Sequence, residues 1–149
     1  MNFTIPNDNL EKKECPLALI RCVDFRFRES DQEFVEKGLG YKDFDLYSWP
    51  GSAKDVLKNN GFKLSFIEKI VAVSKNFHGI KKILLLWNWD SQAYGGSQNF
   101  KSAQEEEDRY KQDLLSIKEI LAKELPDDLE IIIAYSKSVP QALEYIVLE

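Results

Sequence analysis

The sequence is poor in the residues that build metal sites and covalent staples: one histidine and two cysteines stand among 149 residues. Two cysteines, Cys15 and Cys22, are too few for a disulfide framework, so a reduced, cytoplasmic setting is the expectation. No apolar run approaches the ~20 residues that span a bilayer, and no membrane partner is expected. The first fourteen residues are polar and charged, without the apolar stretch of a secretory signal. Positive charge is not in excess either. The formal net charge of -5 supplies no field for gripping a nucleic-acid backbone, which removes that class of partner. Internal repeats and low-complexity segments are absent.

What is present suffices for one core. Hydrophobic residues make up 44% and charged residues 30%, the balance of a folded domain rather than a disordered chain. Residues 1–15 read as an irregular arm, 16–136 as an α/β core and 137–149 as a tail. Within the core, 17–23 reads as a buried strand and Phe44 to Trp49 as a second, stopped by Pro50-Gly51. The run 82–87 is a third, apolar without a break from Ile83, as expected for a strand covered on both faces. Leu129 to Tyr135 is a fourth.

Helices fill the gaps. Ser30 and Ser52 are candidate N-caps for short helices ending near Lys37 and Lys58. Phe66, Ile70, Val73 and Phe77 share one helical face, and Gly79 fits a left-handed cap. Ser102 can cap a long helix whose stripe is Tyr110, Leu114, Ile117, Leu121 and Leu125, with Glu105, Glu106, Glu107 and Asp108 favouring its positive end. The tail from Val139 to Leu148 is read as a helix. The alternation of strand and helix predicts a three-layer α/β fold: a central, mainly parallel sheet of about four strands with right-handed crossover helices.

In such sheets the ligand site lies outside the carboxyl ends of the strands. The first end offers Cys22, Asp24 and Arg26 at alternate positions, so the three side chains face one way along an extended segment. Arg26 can hold the Asp24 carboxylate and favour a nearby thiolate. The plainer reading of Asp24 and Arg26 is a structural ion pair, and of Cys22 a small pocket-lining residue. The second end offers Ser52. The third offers Asn88, Asp90, Ser91 and Tyr94, with Trp87 and Trp89 as packing aromatics. Cys15 has no evident partner, and His78 should lie at the opposite end of the sheet.

Cys22-x-Asp24-x-Arg26, the Pro50-Gly51 turn, Gly79-Ile80-Lys81-Lys82 leading into a strand, and Asp90-x-x-Ala93-Tyr94-Gly95-Gly96 follow in order. Together they resemble the β-class carbonic anhydrases, and most closely a short bacterial carbonic-anhydrase-like branch whose loop reads Asn-His-x-Asp-Cys-Gly-Ala-Tyr-Gly-Gly. The resemblance covers roughly residues 17–135. It implies a Rossmann-like core and a zinc ion on a first-strand Cys, a loop His and a loop Cys. A fourth position takes water or, in a closed form, the Asp of Cys-x-Asp-x-Arg. Cys22 matches the first ligand, Asp24 the switching aspartate and Arg26 its partner. Asn88 stands at the His position, Ser91 at the second Cys, and Gln92 replaces the following Gly.

Amide oxygen and neutral hydroxyl are poor zinc ligands beside imidazole and thiolate. The expectation is therefore a carbonic-anhydrase-like protein without zinc, without any other cofactor and without CO2 hydration. It would retain a polar cleft at Arg26, Ser52, Asn88, Asp90, Ser91 and Tyr94 for a small anion or small molecule. The resemblance also implies a homodimer. Two active alternatives remain: a zinc carbonic anhydrase with a rearranged site, or an enzyme using Cys22 as nucleophile with Asp24 and Arg26 tuning it and the Ser91 region binding an oxyanion.

Overall fold

The computed structural model describes residues 1–149. The strands are β1 (Leu17–Cys22), β2 (Phe44–Trp49), β3 (Lys82–Trp87), β4 (Glu130–Val139) and β5 (Ala142–Leu148). They form one sheet in the order β2-β1-β3-β4-β5, with β1 to β4 parallel and β5 antiparallel to β4. Helix α1 (Arg28–Glu33) runs on into a π turn, Phe34–Gly38. Helix α2 (Asn60–Lys69) continues through a π turn, Ile70–Lys75, into the short α3 (Asn76–His78). Helix α4 (Ala103–Ala122) joins β3 to β4.

The burial follows the two-residue period of the strands. Ala18, Ile20, Ile83, Leu85, Ile131 and Ile133 pack with Phe66 of α2, Ile70 of the π turn, and Tyr110, Leu114, Ile117 and Leu121 of α4. Their neighbours Leu17, Leu19, Leu84 and Leu86 point to the other face, against Val35, Phe34 and Tyr145. Helices on both faces leave β1 and β3 covered on both sides, which is why their sequences do not alternate in polarity. The chain steps from β1 outward to β2, then back past β1 to β3. The reversal opens a crevice at the carboxyl ends of β1 and β3.

Ser102 caps α4 as expected, its Oγ accepting from Glu105 N–H at 3.1 Å. Gly79 likewise takes the expected left-handed φ of 67, but the two short-helix N-caps do not hold. Ser30 lies within α1 and donates to the Phe27 carbonyl at 3.1 Å. Ser52 is buried, and its hydroxyl donates to the Ile20 carbonyl at 3.2 Å. The stripe Phe66-Ile70-Val73-Phe77 also fails beyond Ile70. The π turn takes an extra residue, so Ser74 rotates into the core while Val73 and Phe77 are 42% and 75% exposed. Buried Ser74 is tied by a 2.7 Å hydrogen bond to the Tyr47 hydroxyl.

The tail is a strand, not a helix, and it makes the sheet five-stranded. Val139 pairs with Ala142 across a two-residue turn in which Gln141 takes φ 62. Tyr145 packs on one face of the sheet while Ile146 and Leu148 pack on the other, the two-residue alternation of a strand. Tyr145 stacks on Phe34 with ring centroids 4.4 Å apart and donates to Asp31 Oδ1 at 2.8 Å. Asp31 is buried and also accepts from Arg21 Nε at 2.8 Å, and Arg21 Nη2 donates to the Asp24 carbonyl at 3.0 Å. One chain of contacts thus joins β5, α1 and the end of β1. Replacing Tyr145 by Ala is expected to cost roughly 2–4 kcal/mol of unfolding free energy, and by Phe about 1 kcal/mol. Urea denaturation measures both, and an unchanged midpoint in Tyr145→Ala would contradict the docking of β5.

Candidate functional site at the strand carboxyl ends

The chain leaves β1 at half-buried Cys22 and turns at once into a 3-10 turn, Phe25–Phe27, with Asp24 as its cap. Asp24 Oδ1 accepts from the Arg26 main-chain N–H at 3.0 Å. The Arg26 guanidinium then folds back on the same carboxylate, Nη2 to Oδ2 at 2.7 Å. Its other arm reaches the β3 loop, with Nη1 on Asp90 Oδ2 at 2.9 Å and Nη2 on the Asp90 carbonyl at 3.3 Å. Arg26 is therefore shared between two loops that are 64 residues apart in sequence.

The β3 loop is held in shape by its own helix. Asp90 adopts a left-handed φ of 53, and Asp90 N–H donates to Glu106 Oε1 at 3.0 Å. Ser91 N–H donates to the Tyr110 hydroxyl at 3.1 Å, and that hydroxyl donates to Glu106 Oε1 at 2.7 Å. Asp90 Oδ1 closes the loop by accepting from Ser97 N–H at 2.8 Å. Gly96 must be glycine here, because its φ is 78 and a Cβ would stand 3.0 Å from Asp90 Oδ1. Tyr94 donates to Asp113 Oδ2 at 2.8 Å, and Lys54 Nζ sits over its ring at 3.8 Å while bonding the Ala93 carbonyl. The Pro50-Gly51 turn lies against the same loop: a Cβ on Gly51 would come within 2.6 Å of Ala93 Cβ.

Not every residue singled out from the sequence reaches the open cleft. A cleft of about 600 Å3 is lined by Cys22, Asp24 and Arg26, with Gly51, Gln92 and Ala93 facing them. Val23, Phe25 and Pro50 supply further apolar wall. Ser52, Asn88 and Ser91 are buried beneath it. Asn88 Nδ2 donates to the Trp89 carbonyl at 3.0 Å, and Trp89 N–H in turn donates to Ser136 Oγ at 3.0 Å. Cys22 Sγ accepts from the Gly51 N–H at 3.4 Å.

Several structural participants were not singled out from the sequence. Glu106 reads there as a charge favouring the α4 N-terminus, yet it is buried and orders the loop. Its i,i+4 relation to Tyr110 was the available signal. Glu107 is buried too, and accepts from Tyr135 and Lys137 at 2.6 and 2.7 Å. Lys111 and Lys137 hold its carboxyl down at about 2.

A family model described as "Putative carbonic anhydrase" matches residues 12–127, more than half of the chain. The chain belongs to this family. No curated protein and no solved structure matches it significantly. Cys22, Asn88 and Ser91, at which the sequence resemblance expects metal ligands, stand at the carboxyl ends of β1 and β3. Of these three residues, Cys22 alone carries a thiol and none carries an imidazole. Only one group of three Cys, His, Asp or Glu residues brings its ligand atoms within 4.8 Å of one another, and it contains none of Cys22, Asp24 and Asp90.

The electrostatics give a signed test. Arg26 holds the Asp24 carboxyl below the ordinary range, and for Asp90 the Ser97 N–H does so first and Arg26 second. Both groups favour the ionised form more in the folded than in the unfolded chain. Their contribution is complete above the ordinary carboxylate value of about 4 and is lost as pH falls through their lower folded values. The stability gap between wild type and Arg26→Ala is therefore expected to be constant near neutrality and to shrink below about pH 4. Urea midpoints across that range measure it, and a gap independent of pH would refute the pairing.

Proposed function

We propose that this chain has kept the carbonic-anhydrase-like fold and loop while losing zinc-dependent CO2 hydration, and that it acts as a binding domain for a small uncharged molecule at Cys22. The observation that carries this reading is the state of Asn88 and Ser91. Both stand where the family's ligands are expected, both are buried, and neither brings imidazole or thiolate. One thiol with carboxylates at its side does not fit a tight zinc site. The missing imidazole and second thiolate forfeit most of the coordination energy.

The charge around the cleft narrows the ligand. Arg26 is the cation that would attract an anion, yet Asp24 and Asp90 both engage it. One positive and two negative groups leave the triad at a net of one negative charge. The remaining wall is apolar at Val23, Phe25, Pro50 and Ala93, with the Gln92 amide as polar handle. A neutral molecule with a modest apolar face suits that lining better than a small anion.

Zinc-loaded protein is expected to hydrate CO2 no faster than buffer, with no metal whose retention depends on Cys22. Activity that disappears in Cys22→Ala would overturn the reading. Restoring Asn88→His together with Ser91→Cys is expected to add a zinc equivalent over wild type that Cys22→Ala removes, measured by competition against a chromophoric chelator. Failure to gain it would mean that the loop backbone no longer holds the ligand geometry.

A thiol-dependent enzyme is the second reading, favoured by the place of Cys22 in the cleft wall, where the Gly51 N–H donates to its Sγ at 3.4 Å. It requires Cys22 to alkylate with iodoacetamide at neutral pH at least about tenfold faster than free cysteine. A rate at or below that of free cysteine leaves Cys22 as a lining residue.

A further inference from the structure

The amino end of the sheet carries a second cluster, unconnected with the cleft. Cys15 precedes β1, Asp45 is the second residue of β2, and His78 ends α3. The three arrive from separate segments and are fixed there by the main chain. Cys15 N–H donates to the His78 carbonyl at 3.0 Å, and Lys81 N–H donates to the Pro16 carbonyl at 3.0 Å. Asp45 is set by strand register opposite Ala18. His78 Nδ1 lies 2.8 and 2.9 Å from the two Asp45 carboxylate oxygens. One ligand atom from each of the three lies within 4.8 Å of the other two.

We propose that Cys15, Asp45 and His78 form a binding site for a zinc-class divalent cation at the amino ends of the strands. The chemistry of the donors selects the ion. Thiolate and imidazole favour zinc and its neighbours, whereas magnesium and calcium require oxygen-rich shells. A thiolate and a carboxylate bring two negative charges to a dication, and imidazole binds as the neutral ligand. On binding, the ion replaces the direct contact between His78 Nδ1 and the Asp45 carboxylate.

Three protein ligands leave a tetrahedral ion one open position. Here the three residues are only part-buried and border a cleft of about 320 Å3, also lined by Lys12, Asp43 and Glu36. Lys12 is already engaged, its ammonium 2.8 Å from Asp43. The cleft gives the fourth position to water or a small exogenous ligand. Alternatively, the three residues would be a His–Asp ion pair beside an idle thiol, which binds no metal and leaves Cys15 dispensable.

This inference does not depend on the function proposed for the cleft, and the two fail separately because they involve different cysteines. The experiment uses the full-length, reduced, metal-free protein and zinc ion, with magnesium as the contrasting ion. Competition against a chromophoric chelator is expected to give one zinc per chain. Affinity should fall at least tenfold in Cys15→Ser and in His78→Gln and stay unchanged in Cys22→Ser. Cobalt should give a thiolate-to-metal absorption band that Cys15→Ser removes and Cys22→Ser keeps. Zinc, and not magnesium, should raise the melting temperature of the wild type and of Cys22→Ser but not of Cys15→Ser. Absence of a zinc equivalent in wild type, binding that survives both Cys15→Ser and His78→Gln, or a cobalt band that follows Cys22 would overturn the proposal.

Discussion

Strand β1 pairs in parallel with β3 over Leu17–Ile20 and Lys82–Leu85, and both strands are covered on both faces. The rest of the molecule depends on this pairing. At the carboxyl ends it brings the Cys22 turn to the Asp90 loop, so that Arg26 can reach from one to the other. At the amino ends the same pairing is extended by the Lys81 and Lys82 N–H groups donating to the Pro16 carbonyl, which sets Cys15 beside His78. Sliding β1 by one residue would exchange its two core faces and separate both clusters at once. The sheet is thus a ruler with a chemical group at each end, and the apolar runs of the sequence are what fix its scale.

The loop after β3 keeps its shape through hydrogen bonds that involve no metal. The amides of Asp90 and Ser91 are satisfied by Glu106 and Tyr110 from α4, and that of Ser97 by Asp90 itself. The buried carboxylate of Glu106 accepts from both the Asp90 amide and the Tyr110 hydroxyl, an arrangement stronger than neutral hydrogen bonds alone. A loop held this way needs no bound ion to keep its shape. That is the physical condition under which a carbonic-anhydrase-like chain can carry Asn88 and Ser91 and still fold around Asp90-x-x-Ala93-Tyr94-Gly95-Gly96.

What was legible in the sequence was whatever rests on short-range periodicity. The unbroken Ile83–Trp87 run announced a covered strand, and Ser102 with the Tyr110-to-Leu125 stripe announced α4. Misreadings arose where a local pattern met a longer-range demand. The π turn at Ile70–Lys75 replaced Val73 by Ser74 in the core, since a stripe counted at 3.6 residues per turn cannot foresee an inserted residue. Ser52 read as a cap because caps are serines, but the packing of the turn against β1 gave its hydroxyl to Ile20. The β5 strand was hidden although its pairing partner β4 is adjacent, because Pro140-Gln141 carries no hairpin glycine and 145–148 is apolar without a break, while the contact that docks it is remote. Tyr145 and Asp31 are 114 residues apart, and no window of sequence contains both. At the site, the identity of Cys22, Asp24, Arg26 and Asp90 was legible, whereas the sharing of Arg26 between two carboxylates was not.

The scarcity of metal-binding side chains gives the two ends of the sheet their contrast. With one histidine and two cysteines, the chain can place imidazole in one metal site only, and His78 stands at the amino ends. The carboxyl ends retain a thiol and acidic groups neutralised in part by Arg26, a combination suited to contact with a ligand and poor at holding a cation. The amino ends hold sulfur, nitrogen and oxygen donors together, with an acid already hydrogen-bonded to the imidazole. That contact sets ring and carboxylate side by side before any ion arrives, and the ion then takes its place. Donor chemistry and proximity both favour the end of the sheet opposite the Cys22 cleft, because His78 ends α3 ahead of β3 instead of following β3 into its loop.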